Sequence, residues 1–443
     1  MTELLAKYAE ATVPRYTSYP PATQFHDGVG AETYADWLAA IGDDATLSLY
    51  LHIPFCSQLC WYCGCHTTVP NDLTRVGRYV ETLQAETARV ADGLGGAPQV
   101  VHIHFGGGSP SMLAPDAFAA VMATLRAHFA VGGEAEIACE LDPRNLTPDR
   151  IAALAAQGVG RVSLGVQDIS AEVQALINRR QPLDLVRRCV DGLRAAGIAA
   201  VNLDLMYGLP GQTVEHVVRS AEAAAALGAD RIAVFGYAHV PWFKRHQQAI
   251  DERRLPDMGA RFEQMMAAEA TLLAAGYIKI GLDHFAKAHD PMAVAKESGR
   301  LRRNFQGYTV DPATALLGLG ASAIGALPQG YAQNEPHLGR YRDAVEAGRL
   351  PVVRGVALKP DDRVRRHIIE TLMCQEALDL DQAEGASSER PDRDLETLAA
   401  DGLIEIDGSR LTVTTKGQPY LRNIAACFDA YHSDGATRHS RAV

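Results

Sequence analysis

The sequence predicts an α/β chain: a partial (β/α)6-type barrel with an N-terminal extension and a small C-terminal domain, mostly helical and winged-helix-like. Three observations predict it. From residue 47 onward, six short β-branched runs alternate with Ala-rich amphipathic stretches, as parallel strands joined by helical crossovers do. Polar and Gly-rich clusters directly follow those runs, where a βα barrel gathers its functional groups. Past residue 346 the alternation gives way to helical patterns around one hairpin signal.

The first run, "LSLYLHI" (47–53), leads into "PFCSQLCWYCGC" and a helical pattern over 75–94. The second, "VVHIHF" (100–105), leads into "GGGSPS" and a helix over 115–129. The third, "AEIACEL" (135–141), carries Glu140 near its end and precedes a helix over 147–158. The fourth, "RVSLGV" (161–166), runs into Gln167 and Asp168. The fifth, "AAVNLDLMY" (199–207), is followed by "GLPGQT" and a helix over 213–228, and the sixth, "RIAVFGY" (231–237), by "AHVPW". In the tail, helices are expected over 358–375, 388–402 and 415–431, with two strands around the Asp-Gly turn of "LIEIDGSRLTVT" (403–414). The expected division is residues 1–46 as an extension over the active site, 47–345 as the barrel and its extension, and 346–443 as the C-terminal domain.

The composition, 443 residues with 47% hydrophobic and 21% charged, is that of a globular chain with a large core. No segment approaches the ~20 apolar residues of a membrane span. The opening "MTELLAKYAEATVPRYTSYP" lacks the layout of a signal peptide, so a cytoplasmic protein without a membrane partner is expected. The net charge of −11 and the absence of a basic run argue against nucleic acid as a partner, and a structural or lid role is expected for the winged-helix-like tail.

Reducing cytosol makes clustered thiols metal ligands or catalytic groups rather than disulfides. Four of the eight cysteines, Cys56, Cys60, Cys63 and Cys65, fall in one loop with the spacing C-x3-C-x2-C-x-C; Cys139, Cys189, Cys374 and Cys427 are scattered among apolar neighbours and read as small buried hydrophobes. A zinc site would normally bring paired cysteines from two separated segments. Three thiolates this close can instead wrap three corners of a cuboidal [4Fe-4S] cluster and leave one iron open.

C-x3-C-x2-C after the first strand of a βα barrel resembles the radical S-adenosylmethionine (SAM) enzymes. The resemblance extends along nearly the whole chain to the oxygen-independent coproporphyrinogen III oxidases (coproporphyrinogen dehydrogenases). It is carried by "PRYTSYP" (14–20), "YLHIPFC" (50–56), "CGC" (63–65), "FGGGSP" (105–110), "ELDPR" (140–144), "SLGVQD" (163–168), "NRRQ" (178–181), "NLDLMYGLPGQT" (202–213), "GYAHVP" (236–241), "LDHFA" (282–286), "RNFQGYT" (303–309) and "GLGASAIG" (318–325). The related haem-chaperone branch, a haem-binding alternative without oxidase activity, typically has Phe two residues after the third ligand and lacks the long N-terminal extension. Cys65, "PRYTSYP" and "NFQGYT" favour the oxidase.

The resemblance implies one [4Fe-4S] cluster on Cys56, Cys60 and Cys63, and two SAM molecules. The first SAM would meet Tyr50, Gly107, Glu140 and Ile324; the second Tyr62, Gly108, Ser109, Gln167, Arg179, Asp204 and Ala238. Ser109 stands where Thr is common and keeps the hydroxyl. Tyr50, Glu140 and Cys65 are the expected catalytic residues, Cys65 needed for activity but not for holding the cluster. The implied reaction decarboxylates two propionates of coproporphyrinogen III to vinyls, giving protoporphyrinogen IX for haem. It implies an electron donor, a final electron acceptor and a monomeric enzyme. Arg15, Arg302, Arg303 and Arg422 are candidate partners for the substrate carboxylates, with Phe305 and Gln306 supporting the substrate side.

Overall fold

In the computed structural model, which describes residues 4–383 and 392–432, the six expected runs are strands: β1 Thr46–Ile53, β2 Gln99–Gly107, β3 Ala130–Leu141, β4 Arg161–Gln167, β5 Ala200–Tyr207 and β6 Arg231–Gly236. They lie side by side in parallel, in sequence order. Beyond β6 come the antiparallel β7 Ile278–Ile280 and β8 His284–Ala286, then the hairpin β9 Arg302–Asn304 and β10 Gly307–Thr309. β11 Ala315–Leu319 returns to pair in parallel with β1, and β12 Ile324–Leu327, β13 Gly330–Asn334 and β14 Val352–Ala357 continue that edge antiparallel. The result is a twelve-stranded curled sheet with two free edges, a partial barrel.

The alternation along each strand decides what faces the lumen. On β1 the side chains of Leu47, Leu49, Leu51 and Ile53 are wholly buried in the main core beside Val76, Val80, Leu83 and Val90 of the helix Thr74–Asp92. The intervening Ser48, Tyr50 and His52 lie on the opposite face, as a two-residue period requires. At the N-terminal ends of the strands an ionic layer spans the lumen. Arg161 holds Glu136 (3.1 and 3.2 Å), Arg231 holds Asp290 (2.7 Å), and His102 lies between Glu136 (3.5 Å) and Asp311 (3.6 Å).

The main sheet runs on through β14, past the boundary expected at residue 346. After it, the helix Pro360–Gln375 packs with β15 Ala377–Asp379, β16 Ile404–Asp407, β17 Arg410–Val413 and the helices Asp392–Ala400 and Leu421–Ala426 around a second core. Of the helix expected over 388–402, residues 388–391 lie outside the described ones. The helix expected over 415–431 is only Leu421–Ala426, because the chain first makes a 3-10 turn, Gln418–Tyr420, with Pro419 inside it. The N-terminal extension joins this unit: Tyr16 and Tyr19 are buried in the second core, the Tyr16 hydroxyl donates to Asp429 (3.1 Å), and Arg422 donates to the Pro14 carbonyl (3.0 Å). The later helix Ala31–Ala39 instead buries Trp37 and Leu38 in the main core.

Candidate active site

The loop after β1 is folded back on the barrel mouth by its own backbone. Cys56 N–H donates to Thr68 O (3.0 Å), Thr68 N–H to Pro54 O (2.9 Å) and Cys63 N–H to Cys60 O (3.1 Å). Each expected ligand sulfur then accepts from a nearby donor. Cys56 Sγ accepts from the Thr67 hydroxyl (3.2 Å), Cys60 Sγ from Arg144 (3.4 Å) and Arg179 (3.5 Å), and Cys63 Sγ from the Cys65 N–H (3.4 Å). Among the described residues no three His, Cys, Asp or Glu side chains could hold a single metal ion. A cuboidal cluster asks something different, one thiolate at each corner, and donors onto sulfur are what such clusters use to balance charge. The donor set fits that group.

The thiols are not equivalent. Contact with Cys65, both thiol and N–H, and the charges of Lys244 and Arg179 bring Cys63 down to about 7 against the effect of burial. Burial raises Cys56 to about 11. Cys65 is pushed up by its contact with Cys63, and its carbonyl accepts from Lys244 (2.9 Å).

Above the ionic layer the lumen is lined by a second polar set. Glu140 on β3 accepts from His104 Nε2 on β2 (3.0 Å), and the Tyr50 ring stacks on His104 at 5.9 Å. Burial pushes Glu140 up, but His104 and the Gly107 N–H hold it below the usual carboxylate value. His52 is brought down to about 4 by burial, so it is neutral near pH 7. Its Nε2–H donates to His66 O (2.9 Å), which leaves Nδ1 to accept from the Tyr50 hydroxyl (3.0 Å). Asp204 on β5 accepts from Ser163 (2.8 Å) and Asn202 (2.7 Å), and burial with the charge of Glu140 raises it to about 6.

The Gly-rich turn packs onto the cysteine loop. Gly108 N–H donates to Ile53 O (2.8 Å) and Ser109 N–H to Phe55 O (2.8 Å); a Cβ on Gly108 would lie 2.6 Å from that same Phe55 oxygen. With those N–H groups satisfied internally, the turn presents carbonyl oxygens, the acceptors an ammonium needs. The Ser109 hydroxyl is buried, bonded to Ser111 (2.6 Å) and to the Asp142 N–H (3.0 Å). Arg179 is almost wholly buried between Asp142 (3.1 Å), Gly165 O (2.6 Å) and Cys60, and its Nε has no partner. Tyr62 is half-buried beside it. Gln167 takes a left-handed φ of 68° at the end of β4. Ile324 reaches the Tyr50 side through backbone: its carbonyl abuts Gly318, which pairs with Tyr50.

Beside this mouth lies a cavity of about 810 Å³, between β6, the N-terminal extension and the C-terminal unit. Ala238 lies in its wall, and Gln247 ties that wall to the cysteine loop by donating to Ala238 O (3.3 Å) and Tyr62 O (3.1 Å). Arg15, Arg303 and Arg422 line it as expected; Arg302, exposed on the other face of the β9–β10 hairpin, does not. Arg261 and Lys279, which the sequence reading missed, add to them. Gly208 makes room for Arg261, since a Cβ there would lie 2.1 Å from its Nη1. Burial and the neighbouring Arg15 lower Arg422 to about 9. Arg303 keeps Nε and Nη1 buried without partners. Phe305 packs between Phe25 and Tyr331 (6.4 and 5.6 Å between ring centres), and Gln306 N–H donates to Asn304. Among the described residues no helix is long and apolar enough to cross a membrane.

Residues 50–224 match the radical SAM superfamily and residues 358–420 the HemN C-terminal domain. The chain is 48% identical over its full length to the oxygen-independent coproporphyrinogen III oxidase of Bradyrhizobium diazoefficiens, covering 99% of that protein. It is 38% identical to that of Escherichia coli K12, over 97% of this chain and 94% of the other. The solved coproporphyrinogen III oxidase of Escherichia coli, described as a radical SAM enzyme, superposes with a TM-score of 0.89 at 37% identity, covering 95% of this chain and 100% of that one.

Proposed function

Since the chain belongs to the family of oxygen-independent coproporphyrinogen III oxidases, which are radical SAM enzymes, we propose that it decarboxylates two propionates of coproporphyrinogen III oxidatively to vinyls, giving protoporphyrinogen IX for haem. One [4Fe-4S] cluster on Cys56, Cys60 and Cys63, with two SAM molecules, would supply a 5′-deoxyadenosyl radical able to take hydrogen from an unactivated C–H bond. The remaining steps belong to the chain's own groups.

Glu140, held ionised by His104, accepts from the ribose hydroxyls or ammonium of the first SAM, against the ring of Tyr50. Arg179, fixed by Asp142 and Gly165 with one N–H to spare, pairs with a methionine carboxylate of the second. Asp204 and Gln167 stand at the ends of β5 and β4 to receive its polar groups, and Ala238 flanks it from the cavity wall. Cys65 is a catalytic thiol beside the cluster, not a ligand.

The observation that carries the reading is the cation-lined cavity tied by Gln247 to the cysteine loop. A tetrapyrrole carrying four carboxylates needs a space of several hundred Å³ and several cations, and both adjoin the radical site. Arg15, Arg261, Arg303 and Arg422 would hold the propionates, Lys279 being held by Glu269 (2.7 Å), with the N-terminal extension closing over them through Thr12 and Arg15 and the barrel passing to the C-terminal domain after β14. The enzyme would act as a cytoplasmic monomer, receiving electrons from a donor and passing one per vinyl to an acceptor. Anaerobic incubation of the reconstituted protein with coproporphyrinogen III, SAM and dithionite tests this. Protoporphyrinogen IX with matching 5′-deoxyadenosine is expected; cluster-loaded protein that transfers haem and makes no 5′-deoxyadenosine would reject it.

A further inference from the structure

On the outer side of the cysteine loop, away from the large cavity, lies a second hollow of about 650 Å³, between the helix Thr74–Asp92 and the helix Leu338–Glu346. Its lining includes five basic or titratable nitrogen side chains, His66, Arg75, Arg78, His337 and Arg342, and no Asp or Glu. In a chain of net charge −11 the lining itself carries three arginines and no carboxylate, with Asp72, Asp343 and Glu346 just outside it. Arg75 and Arg78 are exposed and form no salt bridge within 4 Å among the described residues; Arg342 pairs with Asp343 (2.9 Å) on its own helix. Arg75 stands in the first turn of its helix, where a cation opposes the helix dipole, and Arg78 lies one turn on; the charge of Asp72, just before the helix, acts on both.

The floor is apolar, with Phe55 packed edge-on to Tyr79 at 5.3 Å, and it includes Thr67, whose hydroxyl donates to Cys56 Sγ at 3.2 Å. The base of the hollow is thus one hydrogen bond from a cluster-ligand sulfur. Each SAM cleavage consumes one electron that must enter from outside the chain.

We propose that this hollow is the docking surface for a small acidic one-electron carrier protein, which is oxidised by one electron as the cluster behind Cys56 is reduced by one. This rests on the reading of Cys56 as a cluster ligand. A basic rim around an apolar floor suits a brief, electrostatically steered encounter, of the small contact area typical of electron-transfer partners. The carrier's acidic rim meets the arginines, and its cofactor edge faces Phe55 and Thr67.

A bacterial flavodoxin, a small acidic FMN protein, serves as the probe. The Arg75→Glu/Arg78→Glu double variant changes two exposed side chains, so its melting temperature should stay near that of the wild type. At low salt it is expected to bind flavodoxin at least tenfold more weakly by surface plasmon resonance. Stopped-flow bleaching of its cluster by reduced flavodoxin should slow by a similar factor and lose most of its salt dependence. Reduction by dithionite and binding of SAM should match the wild type. Wild-type rates with flavodoxin would overturn the proposal. So would an equal loss in Arg253→Glu, an exposed charge elsewhere, or an equal loss with dithionite. Failure of the cluster reading is told apart by wild-type protein that takes up no iron.

Discussion

His104 and Glu140 face each other across the seam between β2 and β3, with Nε2 3.0 Å from Oε1, and His104 is the only side chain recorded donating to that carboxylate among the described residues. His104 therefore positions Glu140. His104→Ala should raise the SAM Kd about tenfold or more, the worth of one charge-assisted hydrogen bond. His104→Gln should recover much of it. The acid limb of SAM binding should also move to higher pH in His104→Ala, because a group that holds Glu140 ionised has gone; isothermal titration across pH 5–8 measures both.

Arg303 is held through Nη2 on Arg15 O (3.2 Å) and lies over the Tyr308 ring at 4.4 Å, while Nε and Nη1 are buried and unused. They lie on opposite edges of the guanidinium, so one carboxylate would take one of them together with Nη2. Arg303→Ala should raise KM for coproporphyrinogen III about 10- to 100-fold and leave the SAM Kd unchanged. Arg302→Ala, on the opposite face of the hairpin, should change neither.

The ionic layer below the site makes a pH prediction. Burial pulls His102 down, but Asp311 and Glu136 more than restore it, to about 9. The folded state thus binds this proton more tightly than the unfolded chain, with its value near 6.5. The stabilisation is complete below about pH 6.5 and is lost as pH rises through 9. His102→Gln should melt a few degrees (about 2–4 °C) below wild type at pH 6, and the gap should close by pH 9.5, read by calorimetry.

Cys65→Ser should keep the wild-type iron content and the absorbance near 400 nm yet lose nearly all vinyl formation. Cys56→Ala, Cys60→Ala and Cys63→Ala should each lose the cluster itself. Iron analysis beside product chromatography separates the two groups, and a Cys65→Ser protein with little iron would move Cys65 among the ligands.

The six parallel strands were legible because each is a local run whose outward side chains are apolar and whose neighbour in sequence is its neighbour in the sheet. β11 was not, since its place beside β1 rests on a pairing between Leu47–Leu51 and Ala315–Leu319, segments more than 260 residues apart. His104 was hidden inside "VVHIHF", where a run read as apolar carries an alternate polar face. The cysteine loop and the Gly-rich turn were legible as spacing, though Gly108 turned out to be bare chiefly so that it can pack on Phe55. Among the cavity cations, Arg302 and Arg303 are sequence neighbours that a strand sends to opposite sides. Arg261 and Lys279 reach the cavity only through tertiary packing.

Arg15 and Arg422 line the same cavity from opposite ends of the chain, with Arg422 bonded to the backbone at Pro14. During synthesis the cysteine loop leaves the ribosome early, whereas the cation-lined cavity acquires its last wall only when residue 422 has emerged. If the cavity holds the substrate as proposed, a nascent or truncated polypeptide would complete its cysteine loop before it could hold anything for a radical to attack. Loading the cluster after release, on the finished chain, is the order that keeps that chemistry harmless.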